Sequence, residues 1–187
     1  MKIKALLLVF AAVMLFNISA EAQSLPRRVR NVEVQDLDAQ KARLPWWGEK
    51  NLMIFYVDPD VPKQNDEFIT HIESTKRLAG PNIEGFGIVN LKDSWYPVPN
   101  SVIRQIAESR TAKNGATILC DPDHYISSAW RLGDCNNQFV IMLVTRDCEL
   151  VYVHKGEMDE AEQQRFLEQI DIRHELTDLP KRGGVRH

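Results

Sequence analysis

Two copies of the tripeptide Asp-Pro-Asp are the first residues in this sequence that could carry chemistry. They occupy residues 58–60 and 121–123, and His124 directly follows the second copy. Carboxylates and an imidazole together can coordinate a divalent cation. One hypothesis is therefore a metal site with the ligands Asp58, Asp60, Asp121 and His124. The alternative is that both tripeptides are ordinary strand-to-helix turns, because Asp and Pro are favoured in turns and the spacing matches no established metal motif.

Cysteine is the second residue type that could be reactive. The chain contains three cysteines, Cys120, Cys135 and Cys148. Cys120 ends an apolar run, which predicts a small buried core residue, and Cys148 falls in a predicted hairpin turn, where we expect exposure. Cys135 lies in a polar loop and could form a mixed disulfide or pair with Cys120. The alternative for Cys135 is an unreactive structural thiol.

The first 22 residues have the features of a secretion signal. A basic start at Lys2 and Lys4 precedes an apolar run over residues 5–16, which is too short for a membrane span. Residues 20–22 form an Ala-x-Ala cleavage site, so the mature chain is predicted to begin at Gln23. The sequence therefore predicts a periplasmic or secreted protein without stable membrane insertion.

Composition places the chain among ordinary globular proteins. Of the 187 residues, 44% are hydrophobic, and 23 basic against 26 acidic residues give a net charge of −3. This balance gives no electrostatic reason to expect a nucleic-acid partner. We predict one domain over residues 23–171 and a flexible basic tail over residues 172–187.

Strands and helices are predicted to alternate through most of the domain. Apolar runs that predict strands occupy residues 52–57, 86–91, 116–120, 139–144 and 150–153. A hairpin precedes them at residues 32–44, and helical patterns occupy residues 68–79, 100–106, 125–132 and 159–170. This alternation predicts a central parallel sheet covered by helices on both faces, with antiparallel strands added by the last hairpin.

Two helix starts can be predicted in more detail. Asn100 is a plausible N-cap for a helix that buries Val102, Ile103 and Ile106 on one face. Asp159 is a plausible N-cap for the last helix and forms a capping box with Glu162. The remaining large aromatic residues are predicted to fill the core or plug loops, or alternatively to line a partner surface: Trp46, Trp47, Trp95, Tyr96 and Trp130.

The order of elements resembles the thioredoxin-like fold of the TlpA and alkyl hydroperoxide reductase type. Four stretches carry the resemblance: residues 34–38, residues 50–57 with the proline-containing loop that follows, residues 119–132, and the last hairpin with Gly156. The third and fourth stretches resemble more specifically the YtfJ family of secreted thioredoxin-like proteins. The resemblance implies a three-layer sandwich with a central mixed β-sheet, helices on both faces and an N-terminal β-hairpin.

The redox motif that this resemblance implies is missing. Redox proteins of the fold carry Cys-x-x-Cys where the first core strand leads into its helix, and here Asp60 and Lys63 replace the two thiols while Pro62 remains. No cysteine lies between residues 23 and 119, so a peroxidatic cysteine is also absent there. The family's cis-proline is absent from residues 134–138. Asp60 is predicted to cap the helix that follows.

The leading functional hypothesis is a redox-inactive binding or accessory protein that uses no cofactor. Its ligand, a protein or a small molecule, is predicted to bind the loop end formed by Asp58, Asp60, Pro62, Cys135 and Asn136. The first alternative is an atypical thiol-disulfide or peroxide-linked enzyme that uses Cys135 and Cys120, and the second is the carboxylate metal site. Binding leads because a reactive thiol needs electropositive surroundings and the acidic residues nearby oppose this.

Overall fold

The computed structural model describes residues 24–75, 77, 79–94 and 98–175. The predicted secretion signal, Trp95 and Tyr96, and the predicted tail beyond residue 175 lie outside these residues. Within the described part of the chain, no helix is both long enough and apolar enough to cross a membrane.

Eight strands of the described residues form one mixed sheet. They are β1 (Arg27–Arg28), β2 (Glu33–Gln35), β3 (Lys41–Arg43), β4 (Asn51–Val57), β5 (Ile83–Asn90), β6 (Ile118–Asp121), β7 (Phe139–Val144) and β8 (Glu149–Lys155). Their order across the sheet is β1-β8-β7-β4-β5-β6-β2-β3. Strands β4, β5 and β6 are parallel, and the other neighbouring pairs are antiparallel. The predicted parallel centre, N-terminal hairpin and closing hairpin are thereby confirmed.

Four helices of the described residues cover the sheet on its two faces. They are α1 (Asp66–Ser74), α2 (Asn100–Asn114), α3 (Tyr125–Ala129) and α4 (Glu160–Glu175). Helices α1 and α4 pack Phe68 and Phe166 against the face that carries Met53 and Phe55 of β4. Helix α3 packs on the opposite face, where Ile126 joins the core around Leu52, Ile54 and Tyr56. Every second residue of β4 contributes to each face, which explains why the strand is an unbroken apolar run.

The start and the buried face of α2 differ from the prediction. The helix begins at Asn100 itself and Pro99 takes the N-cap position, so Asn100 is not the cap. Ile103 and Ala107 are buried, whereas Val102 is 42% and Ile106 57% exposed. Residues four apart lie on the same face of a helix, and the face that packs toward the sheet is the one with Ile103 and Ala107. The predicted stripe is therefore wrong at two of its three positions.

The last helix extends further than predicted. The Oδ1 atom of Asp159 accepts a hydrogen bond from the Glu162 N–H at 2.8 Å, which confirms the cap. The Glu162 carboxylate instead accepts from the hydroxyl of Tyr152 at 3.1 Å and pairs with Arg165, so no reciprocal capping box forms. The helix runs on to Glu175, so residues 172–175 belong to the folded domain and not to a flexible tail.

The N-terminal segment connects the two edges of the sheet. β1, which was not predicted, pairs with β8, while β2 and β3 lie at the other edge. Its Arg27 side chain donates to the Trp130 carbonyl at 2.8 Å, and the Trp130 indole donates to the Arg30 carbonyl at 2.9 Å. Trp130 is fully buried, and Trp46 and Trp47 pack partly buried against the same core, as predicted.

Candidate functional site

Three buried polar residues lie level with one another at the carboxyl ends of the parallel strands. Asn90 of β5 is the register partner of Asp121 of β6. Asp58 follows Val57, which pairs with Val89, so Asp58 is level with Asn90 on the other side. All three side chains are completely shielded from solvent. This edge is where open α/β sheets bind their ligands.

Asp58 connects the loop after β4 to the loop before β7. Its Oδ1 atom accepts from the Asp60 N–H at 2.8 Å, and its Oδ2 atom accepts from the Asn137 N–H at 2.6 Å. The Asp58 N–H donates in turn to the Gln138 carbonyl at 3.1 Å. Burial raises the pKa of Asp58, and the two N–H groups oppose that rise only in part. We call the two hydrogen bonds that the Asp58 carboxylate accepts the Asp58 clasp.

The residues that replace the redox motif precede helix α1 instead of beginning it. α1 begins at Asp66 with Asn65 at the N-cap position, so the prediction that Asp60 caps the helix is wrong. The Asn65 side chain connects to the β8–α4 segment, where it donates to the Gly156 carbonyl at 3.0 Å and accepts from the Met158 N–H at 2.9 Å. Pro62 and the exposed Lys63 lie in successive turns. The positive end of the helix dipole therefore lies beyond the predicted motif.

Asp121 organises the second Asp-Pro-Asp turn. Its Oδ1 atom accepts from the N–H groups of Asp123 at 3.2 Å and Tyr125 at 2.8 Å. Its Oδ2 atom accepts from the Ile126 N–H at 2.8 Å and from the Tyr56 hydroxyl at 3.3 Å. Burial and the nearby Asp121 carboxylate raise the pKa of Tyr56, so the phenol stays protonated. Asp121 thus satisfies free N–H groups at the start of α3.

The four predicted metal ligands do not form a metal site. The carboxylate oxygens of Asp58 and Asp121 accept hydrogen bonds from backbone N–H groups. The His124 Nε2 atom contacts Asp93 Oδ1 at 2.7 Å. Within the described ranges, no three His, Cys, Asp or Glu side chains are grouped so that they could hold a metal ion. The structure corrects the predicted ligand set in favour of two hydrogen-bonded turns.

Asp93 is a site residue that the sequence reasoning missed. Its Oδ1 atom contacts His124, and its Oδ2 atom accepts from the Asn90 side-chain amide at 2.6 Å. The available signal was its position, because it follows the strand predicted at residues 86–91 and so falls at the same sheet edge as the two Asp-Pro-Asp turns. Neighbouring Lys92 forms an exposed ion pair with Asp123 at 2.7 Å.

A cleft of about 600 Å³ opens beside α3. It is lined by Asp93, His124, Ser127, Ser128, Arg131, Gly133, Asp134 and Cys135. Of the predicted binding-loop residues, Cys135 lines this cleft, and the Asp58 clasp holds the loop that carries it. The cleft lining includes neither Asp60, Pro62 nor Asn136.

The two thiols of the redox alternative lie on opposite faces of the sheet. Cys135 is buried in the core around Tyr56, where its Sγ donates to the Gly133 carbonyl at 3.5 Å. Cys120 packs with Leu91 and Ile103 under α2, and both thiols are free. Burial raises the pKa of Cys120, and it raises that of Cys135 to about 11.

Cys148 lies apart from this region. It is partly exposed in the turn between β7 and β8, with φ at 63° in the left-handed region where glycine is favoured. Its position matches the predicted hairpin turn.

Comparison with known proteins defines the fold. No protein-family model and no curated protein sequence matches the chain. Among solved structures, a candidate thioredoxin from Neisseria meningitidis matches with a TM-score of 0.59 and 16% identity, covering 85% of this chain and 97% of that one. A thiol:disulfide interchange protein of the thioredoxin family from Chlorobium tepidum matches with a TM-score of 0.54 and 11% identity, covering 80% and 99%.

A third similar structure is the exposed lipoprotein thioredoxin Etrx1 from Streptococcus pneumoniae. It has a TM-score of 0.51 and 14% identity, covering 75% of this chain and 99% of that one. The described chain therefore has a thioredoxin-like fold: a mixed sheet between helices on both faces. At these identities the likeness is one of fold, and function has to be argued from the site.

Proposed function

We propose that this protein is an exported thioredoxin-fold protein that acts by binding a ligand and does not exchange disulfides. The observation that carries the proposal is the Asp58 clasp. The clasp lies at the strand end just before Asp60, which stands where redox members of the fold carry their first thiol, and it fixes the adjoining loop through the Asn137 N–H at 2.6 Å. A carboxylate with both oxygens bound to backbone is a structural connector and has no redox chemistry.

The surroundings of the cysteines support the same proposal. With a pKa of about 11, Cys135 is ionised in only about one molecule in ten thousand at pH 7, and the thiolate is the reactive form. The side chain is also 3% exposed, so a protein disulfide cannot reach it without movement of the loop. Cys120 faces the other side of the sheet and is not placed to resolve a mixed disulfide.

The binding site we propose is the cleft beside α3. It lies at the carboxyl ends of parallel strands, next to the Asp58 clasp, and its volume of about 600 Å³ is in the range of small-molecule and peptide sites. Redox activity in the structurally similar thiol:disulfide interchange protein is a property of that protein. For this chain, exchange through Cys135 and Cys120 is the competing function.

Thiol counting tests the proposal directly. The mature protein is titrated with a thiol reagent in its native and its denatured state, and its insulin reductase activity is measured alongside. We expect Cys148 to react in the native state, all three cysteines to react after unfolding, and no reductase activity. The Cys148→Ser variant serves as control and should leave no thiol that reacts in the native state. A native Cys135 that reacts as fast as Cys148, or a reversible Cys120–Cys135 disulfide, would overturn the proposal.

Export is a separate part of the proposal. It rests on the secretion-signal features of residues 1–22 and on the resemblance to the secreted YtfJ family. Mass spectrometry of the protein recovered from the periplasm or the medium should find a chain that begins at Gln23. Recovery of the full-length chain from the cytoplasmic fraction would contradict export. The binding proposal would not be affected by that result, because the thiol count tests it separately.

A further inference from the structure

We propose that the cleft beside α3 binds a zwitterion, a ligand that presents an ammonium group and a carboxylate, such as a short peptide or a free amino acid. The inference rests on the proposed binding function and names its ligand class. It follows from the opposite charges of the side chains that line the cleft and from one buried acceptor that lacks a donor.

The lining of the cleft includes two carboxylates. Asp93 and Asp134 line it, and the buried carboxylates of Asp58 and Asp121 lie behind them. The ammonium group of Lys155 donates to the carbonyls of Leu132 and Asp134, and that of Lys92, beside Asp93, is paired with Asp123. His124 contacts Asp93, and among the described residues no ion pair engages Asp58, Asp121 or Asp134. A ligand ammonium group would find a favourable potential here.

Asn90 adds a hydrogen-bond acceptor next to Asp93. Its amide nitrogen donates to Asp93 Oδ2 at 2.6 Å, which fixes the orientation of the amide. Its Oδ1 atom is completely buried and has no hydrogen-bond partner among the described residues. Buried acceptors are almost always paired, so a donor has to come from a ligand or from a water. The amide is hydrogen-bonded to the cleft-lining Asp93, so a ligand ammonium group bound at Asp93 is the donor that we propose for this acceptor.

The lining of the cleft also includes one cationic side chain, that of Arg131. Arg131 is exposed at the end of α3, with φ at 52°. Its guanidinium has no hydrogen bond or ion pair with any residue in the described part of the chain. Burial and the charge of Arg131 lower the pKa of Arg27, which shows that the two guanidinium groups are close enough to repel each other. An unpaired arginine beside a second positive charge suits a carboxylate, which it can bind through two parallel hydrogen bonds.

Nuclear magnetic resonance titration of the mature protein tests the proposal with defined probes. The probes are trialanine, N-acetyl-trialanine, trialanine amide and free alanine, each added up to about 10 mM. We expect trialanine to shift the backbone signals of residues 127–135 and each singly blocked peptide to bind at least about tenfold more weakly, because each loses one charge-assisted contact. Free alanine distinguishes an amino-acid site from a peptide site.

Two variants assign the two contacts. In Arg131→Gln, blocking the carboxylate should no longer weaken binding, while acetylation still should. In Asp93→Asn, acetylation should no longer weaken binding, while amidation still should. The controls Arg146→Gln and Asp147→Asn carry the same changes on exposed residues of the β7–β8 turn and should bind like the wild type. A melting curve of each variant shows whether it is folded.

The outcomes separate the two proposals. If the blocked peptides shift the cleft signals as strongly as trialanine, or if no probe binds, the zwitterion inference is wrong. The binding function then still depends on the thiol count. If Cys135 instead reacts in the native state, the proposed function itself fails.

Discussion

The two Asp-Pro-Asp turns have identical sequences and different tasks. In both, the first aspartate is completely buried, and its Oδ1 atom accepts from the N–H group two residues on, at 2.8 Å for Asp58 and 3.2 Å for Asp121. The difference is at Oδ2. Asp121 binds the Ile126 N–H in the helix that follows, whereas Asp58 binds the Asn137 N–H, far along the chain.

This difference shows that a local motif does not determine its own partners. After Asp121 a helix begins at Tyr125, so its first N–H groups are within reach of the carboxylate. After Asp58 the chain continues through turns and α1 begins only at Asp66, which leaves Oδ2 available for another loop. One turn serves as a helix cap, and the other holds two loops together at the edge of the cleft.

The largest effect is expected from Asp121→Ala. The change leaves three backbone N–H groups and the Tyr56 hydroxyl without their acceptor, and two of these four hydrogen bonds are buried, so it should lower the free energy of unfolding by ~3 kcal/mol. Urea denaturation measures it. The matched control is Asp123→Ala in the same turn, whose exposed side chain should matter little. Equal losses in the two variants would show that the cap is not the source of the effect.

A smaller loss of stability, with a local signature, is expected from Asp58→Ala. Loss of the clasp should cost ~2 kcal/mol and free the loop that carries Cys135. The rate at which a thiol reagent modifies Cys135 in the native state should therefore rise, whereas Asp121→Ala should raise it only as far as global unfolding allows. Lys63→Ala, an exposed change in the same loop, is the control. An unchanged Cys135 rate in Asp58→Ala would mean that the clasp does not hold the loop.

The pH dependence of stability should distinguish Asp58 from an uncharged replacement. Because burial raises its pKa in the folded state above the ordinary value of 3.8, the folded protein takes up a proton first as pH falls. The stability of the wild type relative to Asp58→Asn should therefore rise as pH is lowered from 7 towards about 4. Denaturation curves of both proteins across this range measure it. If the relative stability instead falls on acidification, the two N–H groups lower the pKa of Asp58 by more than burial raises it.

The smallest effect is expected at the third position of the second turn. Asp123 is exposed and paired with Lys92 at 2.7 Å, and this pair lowers the pKa of Asp123. Exposed pairs are screened by solvent and salt, so Asp123→Asn should have the wild-type midpoint of urea denaturation at high salt. A clear loss of stability that persists at high salt would show that the third aspartate contributes to the turn as the first one does.

The architecture could be predicted from the sequence because its signals are local. The apolar run at residues 52–57 and the alternation of strands and helices gave the strands at the correct places, and Asp159 was correctly identified as a cap. Local patterns are not enough to predict which face of a helix is buried. The buried face of α2 is chosen by the sheet, so Val102 and Ile106 were misplaced although they are apolar.

The candidate site was predictable only in part. The position of Asp58 and Asp121 at one sheet edge follows from parallel strands, but their partners do not, since the Asn137 N–H and the Tyr56 hydroxyl are far away in the chain. The sequence predicts Asp60 as a cap, whereas α1 begins only at Asp66, because turns separate the end of β4 from the helix. Asp93 and Arg131 carry no motif, and their importance depends on which side chains the fold brings next to them.

The N-terminal segment has a consequence for how copies of this protein meet one another. It supplies both outer strands of the sheet, β1 and β3, and these carry Arg27 and Arg28 at one border and Lys41 and Arg43 at the other. If two molecules joined their sheets by pairing edge strands, short strands that carry Arg and Lys would lie side by side. Repulsion of this kind discourages the growth of continuous sheets between molecules and so favours dispersed molecules at high concentration.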